Sequence, residues 1–244
     1  MKILMYDIET TPIQAYTWGL WDQNIGINQI IKPTELLCFG ARWYGTKKTI
    51  FKSVHHDGKE AMLQEIHKLM DEADVLMGWN SESFDHKHLN REFVENGMLP
   101  PSPSKDLDLM KVVKSNFLFP SNKLDYVSQR LGVGAKVKHS GFDLWIKCME
   151  GDSKAWAEMK KYQIQDVALL ADLYDKLLPW ISNHPDHPLH NDNEDGCVAC
   201  GSLKLTRDGY AMTGTGKYPR YVCDDCGKWQ RESKSEITTK MRPL

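Results

Sequence analysis

Three short stretches of the chain carry acids in patterns suited to holding a cation. "KILMYDIETTP" (residues 2–12) ends an apolar run on Asp7 and Glu9, "WNSESFD" (79–85) ends on Asp85, and "YQIQD" (162–166) sets Tyr162 four residues before Asp166. A fourth pattern is thiolate rather than carboxylate: "CVAC" at Cys197 and Cys200, and "CDDC" at Cys223 and Cys226.

Side chains alternate along a strand, so Asp7 and Glu9 point to the same side. Two neighbouring carboxylates raise each other's pKa or demand a cation. Hard oxygen donors of this kind suit Mg²⁺ or Mn²⁺ rather than a soft metal. On a helix, a spacing of four puts Tyr162 and Asp166 on one face. The cysteine pairs are 22 residues apart, and each is followed by glycine, Gly201 and Gly227. Such a pattern predicts two knuckles that place four thiolates around one Zn²⁺. Four protein ligands leave no open position, so this is a structural zinc ribbon. Cys38 and Cys148 stand alone.

The elements that must position these groups follow from hydrophobic periodicity. Residues 2–8, 35–45, 47–54 and 74–80 read as strands. Residues 58–73 and 85–97 read as helices, the second stopped by Gly97 with Pro100 beyond. Residues 104–117 and 121–134 are expected to be helices capped by Ser104 and Ser121. "AKVKHSGFD" (135–143) reads as a loop. Residues 153–180 are expected to form two helices with a break near Lys160–Lys161. This order indicates an α/β core with a mixed sheet. The stretch 182–196 is rich in Pro, Asn, Asp and His and lacks periodicity. The sequence therefore predicts an α/β domain over 1–181 that carries the three acidic stretches, a linker over 182–196, a zinc ribbon over 197–230 and a basic tail over 231–244. His184, His187 and His190 read as solvated linker residues.

"YDIET", "NSESFD" and "YQIQD", in that order, resemble the three motifs of the DEDD 3′–5′ exonucleases, in the Tyr-containing branch found in the proofreading domains of family B DNA polymerases. The resemblance spans residues 1–180. It implies a ribonuclease-H-like fold, with a five-stranded mixed sheet flanked by helices. It implies a two-metal hydrolysis of phosphodiester bonds in which Asp7 bridges both Mg²⁺ or Mn²⁺ ions. Glu9 and Asp166 then complete the water-activating site, Asp85 supports the second ion through water, and Tyr162 orients the attacking water. It also implies that Thr10 contacts the terminal nucleotide through its backbone. Asn80 either shapes the site or touches the substrate, or serves as a turn or helix-cap residue. No polymerase domain follows, so the expectation is a stand-alone exonuclease acting on single-stranded nucleic acid, DNA before RNA. A rival reading is an inactive nuclease fold that binds nucleic acid or protein through its ribbon. A second rival keeps the catalysis and makes RNA the substrate.

The remaining acids draw plainer readings. Asp106 and Asp108 read as helix-start residues, as do Asp143, Asp172 and Asp175. Phe84 reads as packing. Tyr16, Trp18 and Trp21, in the long stretch 15–33, stack on unpaired bases if exposed, or form a lid or a core patch if buried.

The 244-residue chain is 41% hydrophobic with a net charge of −2, enough apolar content for a core and no strong bias towards a partner. No apolar run is long enough to span a bilayer. The acidic pair interrupts the N-terminal run where a secretory signal would continue, so an intracellular, cytoplasmic protein is expected. Charge is uneven: from Gly201 onwards nine Lys/Arg face five Asp/Glu, whereas the rest holds 22 and 28. Lys204, Arg207, Lys217, Arg220, Arg231 and Lys234 are candidates for a phosphate-contacting face. A protein-docking role for the ribbon is the alternative.

Overall fold

The computed structural model describes residues 1–190 and 194–241; residues 191–193 of the expected linker and 242–244 of the expected tail lie outside them. The chain divides into two compact units. One comprises Lys2–Lys111 with Phe119–Leu173; the other comprises Met1, Val112–Leu118 and Tyr174–Leu244.

The first unit is built on β1 (Ile3–Thr10), followed by the short β2 (Gln14–Ala15) and β3 (Ile30–Lys32), then β4 (Leu36–Trp43) and β5 (Ile50–Ser53). After these come α1 (Lys59–Asp71), β6 (Val75–Gly78), α2 (Asp85–Glu95), β7 (Lys105–Asp108) and the start of α3 (Leu109–Asn116). Next are α4 (Leu124–Arg130), α5 (Phe142–Met149) and α6 (Ser153–Leu177), the last up to Leu173. Five strands form one mixed sheet in the order β5-β4-β1-β6-β7. The β1–β4 and β4–β5 pairs are antiparallel; β1–β6 and β6–β7 are parallel. Strand β1 thus lies at the centre, which is why its run is apolar on both faces. Leu4, Tyr6 and Ile8 bury against Met62, Ile66 and Met70 of α1 and Leu89 and Phe93 of α2. The opposite face is covered by α5 and α6, where Leu37 and Cys38 meet Leu144, Cys148, Trp156, Met159 and Tyr162. Helices on both faces of this sheet give the ribonuclease-H-like α/β architecture.

Four sequence expectations change. Residues 104–117 are not one helix. "KDLD" pairs in parallel with β6 as the fifth strand, and α3 starts only after it. Its cap is Asp108 rather than Ser104: Asp108 Oδ1 accepts the N–H of Met110 at 3.0 Å. Ser121 likewise sits ahead of the helix, which begins at Leu124, and its hydroxyl accepts the Lys123 N–H at 3.3 Å. There is no break at Lys160–Lys161. Both lysines are exposed on one side of a single 25-residue helix, while Met159 and Tyr162 stay buried. Residues 142–149, in and after the expected loop, form a helix with Leu144 and Cys148 buried at the i, i+4 spacing of an inward face.

In the second unit β8 (Leu205–Met212), β10 (Trp229–Arg231) and β11 (Ile237–Thr238) all pair antiparallel with β9 (Gly216–Cys223). His184 is not a free linker residue: its Nε2 lies 2.6 Å from the Tyr174 hydroxyl. Among the described residues, no helix is long and apolar enough to cross a membrane.

Candidate active site

Strand alternation sets Asp7 and Glu9 on the α6 side of the sheet, opposite Gly40 and Cys38 of β4. Gly40 is needed there: a Cβ would lie 3.0 Å from Val167 Cγ2 and 3.3 Å from Gln163 Oε1, so the glycine lets α6 approach the strand. That approach brings Tyr162 and Asp166, one helical turn apart, over the two carboxylates. Gln163 Nε2 completes the contact by donating to the Asp7 carbonyl at 3.4 Å.

Asp85 arrives from another direction. Parallel pairing of β1 with β6 covers only Ile3–Met5, so the N–H of Ile8 has no strand partner on that side. Asp85, the first residue of α2, accepts it through Oδ1 at 3.0 Å. The turn that delivers Asp85 is held by Asn80, whose φ of 64° is left-handed. Its N–H donates to Asp108 Oδ1 at 2.9 Å, and its carbonyl accepts the N–H groups of Ser83 and Phe84, both at 3.1 Å. Asn80 is therefore a turn residue here.

The acids are perturbed together. Burial, then the charge of Asp166, pushes the Asp7 carboxyl up to about 7. Burial, then the charge of Asp7, pushes Glu9 up to about 8. Asp85 and Asp166 are also raised, burial being the main cause for each. The Tyr162 hydroxyl is raised far above its ordinary range by burial and the surrounding acids, so it is a protonated phenol. Deprotonating all four carboxylates in such a place requires positive charge.

The chain supplies one such charge, from a residue the sequence did not point to. Lys136, in the loop before α5, pairs with Asp166 Oδ2, and its Nζ also donates to the Tyr162 hydroxyl at 3.1 Å. Burial lowers the ammonium pKa, but Asp166, Asp7 and Glu9 outweigh it and raise the pKa overall. Two more residues escaped the sequence reading. Trp145 of α5 donates its indole N–H to Glu9 Oε2 at 3.1 Å. His139 sets its ring edge-on to Trp145 and tilted against Tyr162, with centroids 5.3 and 4.9 Å away. The one signal for Trp145 was the i, i+4 pair Leu144–Cys148, which marks a helix. Nothing periodic marks Lys136 or His139.

Beside Glu9 opens a cavity of about 600 Å³ walled by Thr10, Phe84, His88, Phe142 and Trp145. Phe84 is not core packing: it is 39% exposed and lines this cavity. Asp106 and Asp108 stay outside the acid group. Asp106 lies on β7, 3.2 Å from His86 Nδ1, and Asp108 caps α3.

The donor set suits hard divalent cations. Four carboxylates converge, their ionised forms repel, and Asp166 Oδ1 is buried with no hydrogen-bond partner. The four cysteines fit a different ion. Their sulfurs all lie within 4.8 Å of one another, and they form the one close His/Cys/Asp/Glu ligand group of this kind among the described residues. Cys197–Cys226 and Cys200–Cys223 are 3.6 and 3.7 Å apart. A tetrahedron with Zn–S bonds of about 2.3 Å has edges of about 3.8 Å. Both knuckles close alike: Gly201 and Gly227, at φ 75° and 76°, donate to the carbonyls of Cys197 and Cys223 at 2.8 Å. The positive φ explains the glycine after each pair.

A profile of the RNase_H superfamily matches residues 4–178. Among solved structures, the chain is similar to the family B DNA polymerase from the hyperthermophilic archaeon Pyrobaculum calidifontis. The TM-score is 0.57 at 15% identity, covering 88% of this chain and 31% of the polymerase. The chain thus spans about a third of that polymerase's length, and the likeness is one of fold. No curated protein matches the chain.

Proposed function

The chain belongs to the RNase_H superfamily, and from there we propose that it is a metal-dependent 3′–5′ exonuclease. Its substrate in this reading is single-stranded nucleic acid, DNA before RNA. The observation that carries the proposal is the buried acid group itself: four carboxylates raised by burial, with a lysine ammonium drawn in among them.

Asp7, Glu9, Asp85 and Asp166 would hold two Mg²⁺ or Mn²⁺ ions. When bound, a metal pair lowers the pKa of water and neutralises charge on the scissile phosphate and leaving oxygen. The remaining work falls to side chains. Tyr162, held protonated, donates a hydrogen bond that orients the attacking water. Trp145 fixes one Glu9 oxygen and so leaves the other free to face the site. Lys136 balances Asp166 before substrate arrives and places a cation near the phosphate. The cavity beside Glu9 offers apolar walls to the terminal nucleoside, with Thr10 at its edge. The ribbon's cysteines would hold one structural Zn²⁺.

A 5′-labelled single strand of DNA, and one of RNA, incubated with Mn²⁺ tests the reading. Stepwise shortening from the 3′ end is expected, and Asp7→Ala should abolish it. An intact strand under all conditions would leave the adaptor reading in its place. Faster shortening of RNA would reassign the substrate.

A further inference from the structure

In the second unit the six basic residues do not share a face. Antiparallel partners project to the same side of a sheet. On one side of β9, Lys217 and Tyr221 lie opposite Met212 and Arg207, and Tyr210 lies opposite Pro219. Charge there is partly matched: Arg207 pairs with Glu236 at 2.8 Å and Tyr221 donates to Glu232 at 2.7 Å, while Lys217 and Arg207 share the Tyr210 ring at 3.9 and 5.3 Å. Lys204 pairs with Asp225 at 3.0 Å, and Lys234 lines a cavity whose walls also carry Asp186, Glu194 and Asp195.

The other side differs. Arg220 of β9 and Arg231 of β10 are direct cross-strand partners. Like charges directly opposite each other destabilise a sheet. Each guanidinium instead lies on an aromatic ring of the same face, Arg220 on Trp229 at 4.5 Å and Arg231 on Tyr218 at 3.8 Å. The nearest carboxylate paired with either is Asp208, 3.8 Å from Arg220 and well exposed. The face therefore reads Trp229, Arg220, Arg231, Tyr218. The paired arginines reach in opposite directions along the sheet, each to its own ring, and the rings are about 13 Å apart along the strand at about 3.3 Å per residue.

We propose that this face of the zinc-ribbon sheet binds single-stranded nucleic acid, with Arg220 and Arg231 on consecutive phosphates and Trp229 and Tyr218 against bases. Two arginines against one exposed carboxylate leave this face with a surplus of positive charge, which suits a polyanion. Arg220 gives its Nε–H to the Asp208 carbonyl at 2.9 Å and Arg231 one Nη–H to the Glu232 carbonyl at 3.2 Å; the other N–H groups of each stacked guanidinium are left for phosphate oxygens. Aromatic–base stacking tolerates any sequence, which suits a strand shortened one nucleotide at a time. The inference rests on the nuclease reading for its choice of occupant.

The test uses the full chain carrying Asp7→Asn, so that the probe is not consumed. A 5′-fluorescein oligothymidylate is titrated by anisotropy over a range of KCl concentrations. Arg220→Gln with Arg231→Gln should reduce the slope of log K against log salt by about 1.4, at about 0.7 per phosphate contact on a single strand. Arg220→Lys with Arg231→Lys should retain that slope. Trp229→Ala should weaken binding roughly 5- to 150-fold, the range for loss of one stacked base. It decides the question by itself should the double glutamine variant lose its zinc. Arg207→Gln, on the opposite face, should leave the slope as it was. Unchanged slope and affinity in the glutamine and alanine variants would overturn the proposal, as would an equal loss from Arg207→Gln. Wild-type protein that shortens the strand while those variants bind normally would refute this inference alone. Variants that bind poorly in a protein that never shortens the strand would refute the nuclease reading alone.

Discussion

Lys136 gives the sharpest check on the electrostatics of the acid site. Replacing it with methionine keeps most of the side-chain volume and removes the charge. Asp166 is almost wholly buried, at 1% side-chain exposure, and one of its oxygens already lacks a partner. Breaking a buried ion pair costs about 3–5 kcal/mol; since Lys136 is 28% exposed, the lower end, about 3 kcal/mol, applies. At about 2–4 °C per kcal/mol for a chain of this size, the metal-free variant should melt about 6–12 °C below wild type. The loss should depend on pH. Burial already raises the Asp166 carboxyl and Lys136 opposes that rise. Without the lysine the carboxyl rises further, and a proton can replace the ammonium at mildly acid pH. An acid with a raised folded-state pKa is harmless to stability below its unfolded value and costs stability as pH climbs to the folded value. The deficit should therefore be small at pH 5 and large at pH 8, and Mn²⁺ should erase most of it. Scanning calorimetry in chelator, then with Mn²⁺, measures this. A deficit equal at both pH values, or none at pH 8, would refute the argument that Lys136 acts as the resident cation.

Other consequences are as concrete. Because Asp7 is raised to about 7 and Glu9 to about 8 from values near 4, the metal-free wild type should lose stability steadily from pH 4 to pH 8. The melting increment given by Mn²⁺ should therefore be larger at pH 8 than at pH 5; equal increments would mean the carboxylates do not share a cation. Asp108→Ala removes the cap of α3 and the partner of the Asn80 N–H, which should cost about 2 kcal/mol by urea denaturation; a change within error would show that solvent replaces it. Cys223→Ser with Cys226→Ser should take zinc from one equivalent to none and open residues 197–241 to trypsin, with the digest read by mass spectrometry. Retained zinc would refute the four-sulfur site.

The acid group was legible because its geometry is local. Two residues apart on a strand, or four apart on a helix, side chains share a side whatever the rest of the chain does; joining those pairs and Asp85 into one group rested on the resemblance of three motifs in order. The cysteine knuckles were legible for the same reason. Strand β7 was not: "KDLD" offers four residues, three of them charged, and only its place at the parallel edge beside β6 makes it a strand. Lys136 was out of reach because its value lies in a contact 30 residues away in sequence, made from an irregular loop. The ribbon's basic residues could be counted from the sequence, but their faces could not. The bulge between Arg207 and Tyr210 shifts the register of β8 against β9 and sets these two on one side, where simple alternation would part them.

Strand β1 has a consequence at the level of the gene. Its odd positions from Asp7 carry the acids, and Leu4, Tyr6 and Ile8 carry the apolar layer under α1 and α2. Side-chain direction depends on whether a position is odd or even. Many point substitutions in this strand are gradual changes, since an apolar residue can replace another. A one-codon insertion ahead of Asp7 is not: it turns both carboxylates into the apolar layer and brings hydrocarbon to the acid site, while the strand can still pair. Active descendants of this chain should therefore differ in spelling across residues 3–9 but not in length. The irregularity at Glu9/Thr10 marks where insertions become tolerable again.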